Sequence, residues 1–279
     1  MGLERRISEA VTNKWAAHLS TMRAAQSLPR LILVLVALSF IAALPLFAQQ
    51  VVVVELFTSE GCSNCPPADA LLGQLSKQRD TTSTELILLG EHVEYWNGQG
   101  WNDRFSGSAF TQRQYDYAKR FHLASAYTPQ MVIDGHLQTV GGNAPAVQKL
   151  IADAAHTPKT AAVTLNFVAP GKLQISVTDS SNSKQRVLLA VTEDNLTTKV
   201  GGGENGGRVL VHSAVVRELR TLGTLSNGKF EKTVSVPDKP DWKRDDLRAV
   251  VLVQDANDDV IRGAASLPFV VHTPSAAGR

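Results

Sequence analysis

Residues 51–72, VVVVELFTSEGCSNCPPADALL, decide how this chain is read. Val51–Phe57 is a continuous β-branched and apolar run, the pattern of a strand buried on both faces of a sheet. Thr58–Cys65 has the composition of a loop. From Ala68 to Leu75 the apolar residues fall at 68, 71, 72 and 75, which is helical spacing. Pro66 and Pro67 lack an N–H, a loss tolerated at a helix start, so the helix is expected to begin at about Asn64 or Cys65. Cys62 and Cys65 thus stand in C-x-x-C spacing between a strand and a helix. Two intervening residues let the sulfurs meet across one turn. Free N–H groups and the dipole at a helix N-terminus stabilise a thiolate. Cys62, expected at the exposed edge of the loop, is the predicted nucleophile toward a substrate disulfide. Cys65, deeper in the helix, is the predicted resolving thiol.

Working outward, Leu86–Leu89 reads as a second buried strand and Ser108–Phe121 as a second helix. Pro129–Asp134 and Leu137–Val140 read as strands around the Gly135-His136 turn. Ala144–Ala155 reads as a third helix with Pro145 in its first turn. The order over 51–156 is β-α-β-α-β-β-α, an α/β layer with a mixed sheet. Thr157–Lys159 is the expected domain boundary. Beyond it the period falls to two, with strands at Ala162–Phe167, Lys172–Thr178, Arg186–Thr192, Phe230–Val236, Leu247–Gln254 and Val260–Ala265. Short strands over 160–275 predict an immunoglobulin-like β-sandwich domain. Gly201–Gly207 (GGGENGG) reads as a hairpin tip, and His212–Leu222 has a partly helical pattern.

The chain has 279 residues, two cysteines, and 28 basic against 26 acidic residues. A charge near zero excludes a dedicated nucleic-acid binder, which needs a basic face. Two cysteines exclude a disulfide scaffold and an all-cysteine zinc site. Arg23 and Arg30 precede the apolar run Leu31–Ala48, which Pro45 interrupts, and Ala48 offers a small residue for cleavage. Residues 1–48 therefore read as a secretory signal, with Met22 as an alternative start. An uncleaved membrane anchor is the rival reading, since eighteen helical residues span about 27 Å. Either places the remainder outside the cytoplasm, periplasmic or secreted. From residue 49 on, 23 basic residues face 24 acidic ones, so this part advertises no electrostatic partner.

Residues 51–156 resemble a thioredoxin fold, on the C-x-x-C after the first strand and Thr128-Pro129 before the third. That resemblance implies a cis Pro129 facing the disulfide, with Thr128 presenting backbone to a bound peptide. It also implies that Glu55, late in the first strand, moves a proton for Cys65; burial would raise its pKa toward a useful range. VVVVELFTSEGCSNCPPADALL, HVEYWNGQGWNDRF, YTPQMVIDG and GGENGGRVLVHSAVVREL together resemble a family of secreted bacterial proteins, domain of unknown function 1223. That family name implies no chemistry. Three features depart from thioredoxin. Ser63-Asn64 puts no cation between the cysteines, and Glu60 opposes a low thiol pKa. Pro66-Pro67 leaves Cys62 outside the helix. The Tyr95–Ser125 segment carries an extra aromatic loop, whose Tyr95, Trp96 and Trp101 either line a peptide groove or pin the insertion down.

The resulting expectation is an exported thiol–disulfide oxidoreductase acting on the thiols or disulfides of exported proteins, without cofactor or metal. Two alternatives stay open. One is a non-enzymatic binding module in which Cys62–Cys65 is a permanent staple, although so short a loop gains little entropy from closure. The other is a copper carrier that adds His92 to the two thiolates. His212 and Arg217 have no assignable partner in the sequence.

Overall fold

The computed structural model describes residues 50–79, 84–181, 183–237 and 239–270. The expected export signal lies outside them. The elements run β1 (Gln50–Thr58), α1 (Pro66–Gln78), β2 (Thr84–His92), a 3-10 turn (Glu94–Trp96), α2 (Ser108–Arg120), β3 (Gln130–Ile133), β4 (Leu137–Val140) and α3 (Ala144–Ala155). Strands follow: β5 (Ala161–Ala169), β6 (Lys172–Asp179), β7 (Gln185–Glu193), β8 (Leu196–Lys199), β9 (Val209–His212), β10 (Val215–Thr224), β11 (Lys229–Ser235), β12 (Leu247–Asp255) and β13 (Ile261–Pro268).

The local readings of the first half hold. β1 is buried on both faces and pairs in parallel with β2. Asp134 and Gly135 take positive φ in the three-residue turn joining β3 to β4, where His136 N donates to Ile133 O at 3.1 Å. α1 carries prolines at its first two positions, with Cys65 at the cap. Residues alternate along β1. Val52, Val54 and Leu56 pack with Ala68, Leu71, Leu72 and Leu75 of α1 and with Val147 and Ala154 of α3. Phe57, pointing the other way, packs on Tyr117 of α2.

The expected fold class, a thioredoxin-like α/β domain followed by an immunoglobulin-like sandwich, is corrected. Strands dominate, and one eight-stranded mixed sheet runs β13-β12-β7-β10-β2-β1-β3-β4, through both halves of the chain. Its middle joint is β10 against β2, a parallel pairing at Val215 and Gly90 with Gly90 N donating to Ala214 O at 2.7 Å. One apolar cluster unites Val53, Ile87, Leu89 and Phe110 with Leu188, Ala190, Val216, Val250 and Leu252. On the other face of β7 and β12, Val187, Leu189, Val191, Val251 and Val253 pack on Leu173, Ile175 and Val177 of a three-stranded sheet, β11-β6-β5. Of the C-terminal strands, β7, β10, β12 and β13 therefore extend the first sheet, while β5, β6 and β11 form a second sheet packed on one face of it. The physical reason is coverage. Two faces of a long sheet need cover: α2 reaches across to β7 and β12 on one face, but α1 and α3 lie at the β1–β4 end of the other and leave β7 and β12 to the three-stranded sheet.

His212–Leu222 is a second correction. Val215–Thr224 is a strand, held by antiparallel pairing with β7, so tertiary pairing overrides the local pattern. Gly201–Gly207 does connect two paired strands, β8 and β9.

A shared core has a measurable consequence. Residues 50–156 alone would expose Val53, Ile87 and Leu89, at about 1.5–3 kcal/mol for each side chain uncovered. That fragment is expected to show no cooperative thermal transition by circular dichroism, whereas residues 49–279 melt cooperatively. A cooperative melt of the fragment would contradict the shared core.

Candidate functional site

After β1 the chain makes two tight turns, with Cys62 N donating to Ser59 O and Cys65 N to Cys62 O. Cys62 and Cys65 form a disulfide. Cys65 O then receives the first helical N–H groups, from Ala68 and Asp69. Both cysteines are buried, Cys62 at 1% exposure and Cys65 at 0%, while Ser63 and Asn64 are exposed. The expectation of an exposed Cys62 is thereby corrected. Two segments far away in sequence lie against its loop.

The first is the glycine-rich connection between β8 and β9. Asn205, fully buried, donates through Nδ2 to the carbonyls of both Glu60 (2.9 Å) and Cys62 (2.8 Å). Arg208 holds Asn205 Oδ1 at 2.9 Å. Glu204 Oε2 accepts from Ser63 N at 3.0 Å, and hydrogen bonds from Ser63 lower its carboxyl pKa. Gly202 meets the chain at Gly100: a Cβ there would lie 2.2 Å from Gly100 O, so only glycine fits. The second segment is the aromatic loop. Trp101 Nε1 donates to Glu60 Oε2 at 2.7 Å, and Trp96 Nε1 to Thr128 Oγ1 at 2.8 Å. Both indoles thus pin the insertion down.

The Thr128-Pro129 bond is cis. Pro129 lies close to the first turn of α1: a Cβ on Gly141 would fall within about 3 Å of Leu56, Ala68 and Pro129 together. Thr128 and Pro129 are therefore brought to the cysteine helix, with Trp96 tying Thr128 to the neighbourhood of Gly61. Glu55 is not. It points with Phe57 toward α2, where Arg113 Nε donates to it at 2.5 Å and Tyr117 Oη at 2.7 Å. Glu91 on β2 joins them, 3.5 Å from Arg113 Nε. Burial and the neighbouring Glu55 raise its pKa well above the usual range, against the pull of Arg113.

Beside the cysteines a different set of charges is buried: Glu60, Asp69, His92, Asp103 and His212. Asp103 Oδ2 accepts from Glu60 N at 2.8 Å and meets His92 Nδ1 at 2.6 Å. Burial opposes charge on both members of the His92–Asp103 pair, yet their attraction wins: His92 is raised and Asp103 lowered. Burial also opposes ionisation of Glu60, but His212, Thr198 and Trp101 hold it below its ordinary value. Asp69 is raised by burial, which His212 and His92 only partly offset. Among the described residues no group of three or more His, Cys, Asp or Glu is arranged to hold a metal ion. Sequence reasoning missed Asn205, Asp103 and the placement of His212. The one signal for Asn205 and His212 was their presence in GGENGGRVLVHSAVVREL.

The model of a family described as "Protein of unknown function (DUF1223)" matches residues 53–254. Among solved structures, protein AGR_C_4864 from Agrobacterium tumefaciens is similar, at 26% identity and a TM-score of 0.63, over 78% of this chain and 94% of that one. A domain of the outer membrane lipoprotein Omp28 from Porphyromonas gingivalis gives 14% identity and a TM-score of 0.23, over 39% and 87% of the two chains, and carries no argument. No curated protein matches.

The buried His92–Asp103 pair predicts a pH window. Asp103 contributes above its unfolded value and loses its contribution as pH falls through its lowered folded value. His92 contributes below its unfolded value and loses its contribution as pH rises through its raised folded value. The pair's stabilisation is therefore complete between about pH 4 and 6.5. The melting-temperature gap between the unsubstituted protein and His92→Gln is expected to peak there and to shrink on the alkaline side. A gap independent of pH would contradict a charged pair.

Proposed function

This chain belongs to the DUF1223 family, whose description names no activity, and we propose that it is an exported thiol–disulfide oxidoreductase whose redox couple is Cys62–Cys65. The observation that carries this reading is the disulfide's position. It closes a two-residue loop at the cap of α1, with the cis Thr128-Pro129 bond packed toward that helix's first turn. In the reduced chain the Cys62 thiolate attacks a substrate disulfide. The substrate S–S bond breaks, a Cys62–substrate disulfide forms, and one substrate thiolate leaves. Cys65 then attacks Cys62 Sγ, which releases the second substrate thiol and restores Cys62–Cys65. Thr128 and Pro129 supply the backbone beside which the substrate lies. Residues 1–48, read as a signal, put this chemistry in the periplasm or outside the cell, on exported proteins.

Burial of both sulfurs favours a second reading, in which the disulfide is a permanent staple in a binding module. Access decides between them. The cover over the cysteine loop is held by hydrogen bonds from Asn205, each worth about 0.5–1.5 kcal/mol net, and by the solvent-exposed contact of Glu204, which is compatible with transient opening.

Three measurements test the proposal. The reduction potential of Cys62–Cys65, by thiol trapping across a glutathione series, is expected between about −270 and −120 mV; below about −300 mV the staple reading holds. Cys65→Ser is expected to accumulate mixed disulfides on Cys62 with exported proteins, and Cys62→Ser to form none. Asn205→Ala, which removes two hydrogen bonds, is expected to speed reduction by dithiothreitol by about one order of magnitude. An unchanged rate would mean that the glycine-rich connection does not limit access.

A further inference from the structure

His212 is buried at 2% exposure, and neither of its ring nitrogens has a hydrogen-bond partner. Buried polar groups are normally satisfied, so an imidazole with both nitrogens open calls for a reason. Its neighbour shows the contrast: His92, 4.9 Å away edge to face, has its Nδ1 on Asp103.

The surroundings of His212 converge from both sides of the cysteine loop. Glu60 stands two residues before Cys62, and its Oε1, also without a hydrogen-bond partner, lies 3.4 Å from His212 Nε2. Asp69 stands four residues after Cys65, one helical turn on and on the same face of α1. It is buried, and burial raises its carboxyl pKa. Asp103 closes the group from the aromatic loop. On the remaining side the ring of Phe105 lies 5.8 Å from His212. Behind Phe105 is Arg217, whose guanidinium is paired with Glu193. Three carboxyl groups and one other imidazole thus lie around His212, and two fixed cations, Arg104 and Arg217, sit over the Phe105 ring at 4.6 and 5.4 Å.

We infer that His212 gains a proton when the Cys62–Cys65 disulfide is reduced, so that a Glu60–His212 pair stores the proton that the Cys62 thiolate gives up. The inference rests on the redox reading above. A dithiol reductant supplies two electrons and two protons. Its sulfurs become a disulfide, and the Cys62–Cys65 bond breaks. One proton goes to Cys65, which is fully buried, and the other to His212, leaving Cys62 as the thiolate. The imidazolium turns its Nε2–H toward Glu60 Oε1, which satisfies two of the three orphaned atoms, and its charge offsets the new thiolate. In the reverse step the same proton returns to the leaving thiol. His212 acts here as a proton-storing residue and does not touch substrate.

The test is the number of thiolates formed per disulfide reduced, read from the ultraviolet absorbance of the thiolate after reduction with dithiothreitol and removal of the reductant. The unsubstituted protein is expected to show one thiolate at about pH 7 and His212→Gln none, because without the imidazole Cys62 keeps its proton. His156→Gln, at an exposed position, is expected to match the unsubstituted protein. Equal counts in His212→Gln and the unsubstituted protein would overturn the inference and leave the redox reading intact. Failure of the folded chain to be reduced at all would overturn the redox reading and this inference with it. Should His212→Gln not fold, the His212 ring resonances of the unsubstituted protein decide at pH 7: a neutral-to-charged shift on adding dithiothreitol supports the inference, and no shift overturns it.

Discussion

Gly90 N donates to Ala214 O across the joint between β2 and β10, and most of the molecule's organisation follows from that pairing. It places strands from after residue 160 directly beside strands from before residue 100. Once β10 lies along β2, the apolar residues on one face of β7 and β12 continue the surface made by Val53, Ile87 and Leu89, and a single core results. The three-stranded sheet then covers the opposite face of β7 and β12. β9 ends two residues before Ala214, so the same joint fixes the β8–β9 ribbon next to α1. Asn205 and His212 reach the cysteine loop because the sheet carries them there.

The legible parts of the chain were those whose cause is local. The run Val51–Phe57, the spacing of Ala68, Leu71, Leu72 and Leu75, and the two prolines of α1 specify a strand, a loop and a helix within about 25 residues, and the structure has them in place. The hairpin at Gly135 was legible for the same reason. The joint at Gly90 was not, because its partners are more than 120 residues apart and nothing near Val215 marks the strand it will meet. Ten residues that alternate only loosely, Val215–Thr224, become a strand because β7 supplies the pairing. Two domains were read where the period changed, yet a change of period does not prevent strands on either side from sharing a sheet.

Glu55 shows how narrow the margin is at the site. It was read as buried, which is correct, and as serving the cysteines. Neighbouring side chains on a strand point to opposite faces, so Leu56 faces α1 and Glu55 faces Arg113 and Tyr117. One position along the chain separates a carboxylate behind α1 from one locked into a different network. Glu60 and Asp69, just outside the cysteine pair, are the acids that share its surroundings. Neither is exposed, as a loop or helix-start acid would ordinarily be. What keeps them in is His212, His92 and Trp101, all from other segments.

Asn205 grips the cysteine loop through the carbonyls of Glu60 and Cys62, and Glu204 grips it through the N–H of Ser63. Each of these contacts is made to main chain. The Ser63 side chain adds a bond to Glu204, but among the described residues no such contact ties the cover to the exposed side chain of Asn64. Residue 64 can drift or be exchanged for a histidine or a glycine while the grip of Asn205 on the main chain stays the same. Tuning of the sulfurs and guarding of them are separable traits in this architecture, free to be altered one at a time.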